Sequence, residues 1–170
     1  MNDNTNTKLY DLQFARDWTK NLLDIVDAAV DGENKAVNMK EALFQCSSIC
    51  YKNKGMDDLI GKFRNMDDFF GFLINEWDWK FSYNREKNEL LCDENKSECI
   101  CPVAKACNFN ISPSMCYCTE GMLKRIFETA LNRTVTTTMV TSVLRGGRSC
   151  VYKIVIEDLT NSEIDYFLNL

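Results

Sequence analysis

Residues 116–156 read CYCTEGMLKRIFETALNRTVTTTMVTSVLRGGRSCVYKIVI, and they carry one change of period after another. From about Thr119 to Leu131 the apolar residues Met122, Leu123, Ile126, Phe127 and Ala130 recur at three- and four-residue steps, the mark of one helix face. Asn132 supplies a residue suited to the left-handed stop of that helix. Arg133 to Leu144 is rich in Thr and Val, which fits a pleated surface. Arg145-Gly146-Gly147-Arg148 then reads as a hairpin turn, and Cys150, Tyr152, Ile154 and Ile156 alternate along the returning strand.

The same reading extends upstream. Trp77, Trp79, Phe81 and Tyr83 alternate with polar residues as a half-buried strand. The polar run 84–88 turns into a second strand from Glu89 to Cys92. Before it, helical stripes follow one another. Phe14, Trp18, Leu22, Ile25 and Ala29 predict a helix ending near Asp31-Gly32. Asn38 caps a second, carrying Met39, Leu43, Cys46 and Cys50. A third follows Gly55, with Leu59, Phe63, Met66, Phe70 and Leu73 aligned. The expected class is α+β: N-terminal helices packed on an antiparallel sheet of two hairpins separated by a helix. One domain spans 1–170, with the helical layer at about 9–75 and the hairpins, Cys-rich loop and helix at about 77–158; 170 residues fit one core.

Composition narrows the chemistry. The chain has no His, so neither a Ser-His-Asp nor a Cys-His arrangement is available, and any metal must be held by thiolate or carboxylate. A net charge of −5 argues against general nucleic-acid binding. No apolar run approaches the ~20 residues of a membrane span, and residues 1–7 lack a signal-peptide pattern. A cytoplasmic setting is expected, in which nine cysteines act as ligands, reactive thiols or core residues.

The stretch between Asp93 and Met115 holds both prolines and no periodicity, which marks a functional loop. It contains Cys99-Ile100-Cys101, answered across the loop by Cys116-Tyr117-Cys118. Cysteines two apart are poorly placed to bridge each other, yet two such pairs supply the four sulfurs of a tetrahedral zinc site. Cys99, Cys101, Cys116 and Cys118 are therefore the expected metal ligands; an iron–sulfur cluster uses the same donors. Helix and strand rises bring Cys150 back to the same end of the domain, where it either replaces a ligand or lines a pocket with Tyr117 and Glu120. Cys46 and Cys50, one helical turn apart, are spaced to form another ligand pair, yet the stripe they share with Leu43 and Met39 favours the core.

"CICP", "CYCTEGMLKRIFETAL" and "TTTMVTSVLRGGRSCVYKIVI" together resemble the vinyl-4-reductase type of small-molecule-binding domain and its L-2-amino-thiazoline-4-carboxylic acid hydrolase-like relatives. Cys116, Cys118 and Gly121 match the helix opening, Gly146 and Gly147 the hairpin, and Cys150, Tyr152 and Ile154 the last strand. The resemblance implies a fold similar to trafficking-complex subunits and haem–nitric-oxide sensor domains. Without His, haem ligation by that residue is ruled out.

Three functions follow. The first is a cytoplasmic domain that binds or senses an unidentified small molecule beside a Cys-bound metal, zinc by its donors. The second is a hydrolase of a cyclic amidine-like C–N bond. It would use Cys116 or Cys118 as nucleophile with Glu120 as proton shuttle, or zinc on three thiolates. The third is a structural domain that forms a homodimer through the Phe14/Trp18 or the Phe63/Phe70 side.

Overall fold

The computed structural model describes residues 13–15, 17–20, 22 and 38–170. The expected continuation of the first helix through Ile25 and Ala29 lies outside the described residues. Helical residues within 13–22 (α1) place Phe14 and Trp18 in the core, both 8% exposed.

Helix α2 spans Met39–Asn53, and the Asn38 side chain caps it by accepting from the Lys40 and Glu41 N–H groups. The stripe after Gly55 is two helices rather than one: α3, Met56–Ile60, and α4, Met66–Asn75. Asn65 stands in extended conformation between them and accepts from Asp68 N at 2.9 Å, so the chain stops and restarts on a new cap.

Strands β1, Lys80–Asn84, and β2, Glu89–Asp93, form the first hairpin. Helix α5, Pro102–Ala106, breaks the expected irregular stretch; Cys101 occupies its N-cap position and Pro102 its first turn, where a missing N–H costs nothing. A 3₁₀ turn, Pro113–Met115, leads into α6, Cys116–Leu131. That helix begins three residues before Thr119, so both Cys116 and Cys118 lie inside its first turn. Asn132 ends it at φ 51°.

Strand β3, Val135–Thr141, is joined to β4, Val151–Ile156, through a 3₁₀ turn at Val143–Arg145. Gly146 follows at φ 84°, a backbone state that disfavours any side chain. The two hairpins merge into one antiparallel sheet of order β1-β2-β4-β3, because β2 pairs with β4 from Leu90↔Ile154 to Asp93↔Val151. The α+β class holds.

Burial alternates as a half-covered sheet requires: Val135, Thr137 and Met139 on β3 and Tyr152, Ile154 and Ile156 on β4 are buried. That face receives α6, and α2 packs on α6 in turn. Below them, Phe70 meets Phe127 at 5.9 Å and Phe167 at 5.3 Å between ring centroids. Phe167 belongs to α7, Asn161–Leu168, which opens on a Thr160/Glu163 capping box. Phe14, Trp18 and Phe70 are covered within the chain itself, so these aromatics are not free to pair with a second copy.

Candidate functional site

The loop between β2 and α6 lies over the junction of α2, α6 and the start of β4, and encloses a cavity of about 340 Å³. Six cysteines line it: Cys50 from α2, Cys99 and Cys101 from the loop, Cys116 and Cys118 from α6, and Cys150 ahead of β4. Trp77, Trp79, Met122 and Ile126 make the apolar walls, and Lys54, Glu94 and Lys96 contribute charge.

The four cysteines of the two C-x-C pairs thus share one cavity, and Cys150 shares it with them. Tyr117 and Glu120 do not line it. Tyr117 lies between Lys40 and Arg145, each cation 5.0 Å from its ring centroid. Glu120 turns toward β3, where its Oε1 accepts from Met139 N at 3.0 Å. Cys46 and Cys92 are wholly buried core residues, and Cys107 is exposed.

Within the cavity the thiols take different partners. Cys118 Sγ stands 3.5 Å from Cys50 Sγ across the α2–α6 contact. Cys116 Sγ donates to Ser142 Oγ at 3.3 Å. The divergence follows from helix geometry, since residues two apart in a helix do not face each other. By its spacing Cys50 reads as a core position or as half of a ligand pair with Cys46, not as a neighbour of Cys118; the α2–α6 packing that brings the two together, 68 residues apart, leaves no local trace in the sequence.

Electrostatics set the protonation. The hydrogen bond shared with Cys118 holds the Cys50 thiol below its usual range, and Lys54 acts in the same sense. The same contact with Cys50, together with burial, raises Cys118. Burial pushes Cys101 up to about 11, against the N–H groups of Ala104 and Val103, and Cys150 up to about 12. Burial also raises Cys116. Cys116 and Cys118 are therefore neutral at pH 7, a poor state for the nucleophile expected of either. Glu94, 4% exposed, is pushed up to about 7 by burial, with Lys54 and a Cys150 contact opposing.

Thiols of this kind suit soft cations, which displace the proton on binding. Among the described residues, no group of three or more His, Cys, Asp or Glu side chains that could hold a metal ion is found. No helix among them is long and apolar enough to cross a membrane.

No family model and no curated protein matches the chain. Among solved structures, trafficking protein particle complex subunit 3 from Naegleria fowleri, covalently bound to palmitic acid, is similar at a TM-score of 0.40 and 10% identity. The alignment covers 94% of this chain and 99% of that one. This is a weak likeness between chains of similar size.

Proposed function

We propose that the chain is a small-molecule-binding domain of the vinyl-4-reductase type, whose ligand site is the thiol-walled cavity and whose thiols hold a soft metal ion, zinc by the character of the donors. The observation that carries this reading is the convergence of six of the nine cysteines on one cavity of about 340 Å³. Scattered core thiols would not gather so; cysteines used only as small hydrophobes distribute through a core, as Cys46 and Cys92 do. The volume is at the lower end of ligand pockets, and its walls pair apolar side chains with a few charged groups, the usual composition of a ligand site.

A bound ion would tie the loop to the start of α6 and make one wall of the pocket, so metal binding and folding of that region are coupled. Elemental analysis of protein purified without chelator, joined to thiol titration before and after denaturation, tests the reading. Stoichiometric metal with the cavity thiols protected until unfolding supports it. Metal-free protein whose cavity thiols all react in the native state removes it.

A further inference from the structure

Helices α2 and α6 touch where a Cβ on Gly121 would meet the Phe44 carbonyl and Ser47. One turn along the same seam, three residues on from Ser47 and three back from Gly121, Cys50 faces Cys118. The two sulfurs stand 3.5 Å apart. A disulfide bond is about 2.05 Å long, so about 1.5 Å separates this contact from a bond. Both cysteines lie within a turn of a helix end, Cys50 near the close of α2 and Cys118 near the opening of α6, where a helix gives most readily.

A small molecule can reach the pair. Cys50 and Cys118 are only 6% and 3% exposed, yet both line the cavity of about 340 Å³. Cys46, one turn earlier on α2, is the contrast: it has no accessible surface and does not line that space.

We infer that Cys50 and Cys118 are a redox-active dithiol that exchanges with a low-molecular-weight disulfide entering the cavity. This goes beyond the ligand reading: it needs only that the cavity admits a small molecule and does not depend on a bound ion. Cys50, as thiolate, attacks one sulfur of the incoming RSSR, forms a mixed disulfide and releases RS⁻. Cys118 then loses its proton, attacks Cys50 Sγ and releases the second RS⁻. Two cysteine thiols are oxidised to one S–S bond between α2 and α6, and RSSR is reduced to two RSH, which take up the two protons the cysteines lose.

The order of attack follows from the surroundings. The contact with Cys118, and Lys54 after it, favour the thiolate of Cys50. The charge of Cys50 opposes ionisation of Cys118, and that opposition ends once Cys50 is held in the mixed disulfide. The buried Trp18 indole N–H then favours the Cys118 thiolate.

The test treats the reduced, chelator-stripped full chain with 2-hydroxyethyl disulfide, then quenches with acid, alkylates and maps the peptides without reduction. The first cross-link is expected to join Cys50 to Cys118, with the loss of two of the nine thiols. Cys50 is expected to react at least about 10-fold faster than Cys46. The same treatment in denaturant scatters the pairs. Cys118→Ser stops the reaction at a mixed disulfide on Cys50. Exposed Cys107 takes up the same small thiol and is told apart by its own peptide.

A native chain whose first cross-link joins other cysteines, or in which Cys50 reacts no faster than Cys46, overturns the inference. So does a mixed disulfide on Cys50 that never passes to Cys118. Mapping of the unsubstituted chain decides the matter even if Cys118→Ser fails to fold. Each of these failures leaves the proposed function to its own metal and thiol measurements.

Discussion

Gly121 of α6 passes directly beneath the Phe44 carbonyl of α2: a Cβ at that position would stand 2.4 Å from the oxygen and 2.7 Å from Ser47 Oγ. This close approach seats α2 on α6 and so holds Cys50 against Cys118. Neither obstacle yields easily. One is helix backbone, and the other is a buried hydroxyl that accepts from Arg125 Nε at 3.0 Å.

Gly121→Ala therefore sets two effects against each other. In a helix interior the change gains about 1 kcal/mol of propensity. Forcing a methyl group into a closed contact costs about 1–3 kcal/mol, and more where backbone must move. Clash wins here, and a net loss of about 2 kcal/mol is expected in urea unfolding. A variant more stable than the parent would mean that α2 and α6 are not packed so closely.

Glu94 makes stability depend on pH. Its carboxyl stands at about 7 in the folded chain, raised by burial from a usual 4.5. The folded state thus holds the proton more tightly than the unfolded one. The contribution is fully present below pH 4.5 and is lost as pH rises through about 7. Glu94→Gln removes the titration. The variant is expected to gain on the parent by about 3 kcal/mol between pH 4 and pH 8 in metal-free protein. Denaturation midpoints at the two pH values measure it, and parallel pH profiles would show that another group is responsible.

The fold was legible wherever a residue's environment follows from its neighbours in sequence. Tyr152, Ile154 and Ile156 alternate and are buried; Asn38 precedes a stripe and caps it. The break at Asn65 was hidden because Leu59, Phe63, Met66 and Phe70 keep helical spacing across it. Helix α7 went unread, although Thr160-x-x-Glu163 ahead of Ile164 and Phe167 was the available signal. At the site, the nearness of the two C-x-C pairs could be argued from the loop that joins them. The place of Cys50 could not, since it depends on how two distant helices pack.

Thiol reactivity should follow exposure and charge together. Cys107 is exposed, while Cys46 and Cys92 have no accessible surface, and burial raises Cys92 well above the ordinary thiol range. Brief alkylation of the native chain, followed by peptide mass mapping, is expected to modify Cys107 first and to spare Cys46 and Cys92 until unfolding. Occupation of the cavity adds a second contrast. It should slow Cys99, which lines the space, and leave Cys107 unchanged. Equal slowing of both would indicate a change of the whole fold rather than filling of the cavity.

Helix α7 is held at its two ends by forces of different size. At its start, Glu163 accepts from Thr160 N at 2.7 Å and from Arg133 Nη2 at 2.9 Å, both near the surface. Toward its end, Phe167 is 1% exposed, packed on Phe70 and within 5.7 Å of Tyr83. Loss of the capping interaction in Glu163→Ala costs about 1 kcal/mol, since water replaces much of it. Loss of the ring in Phe167→Ala leaves a hole beneath the sheet and costs about 3–5 kcal/mol. Chemical denaturation of the two variants is expected to rank them in that order. The reverse order would mean that α7 is retained by its cap, with Phe167 contributing little to the core it enters.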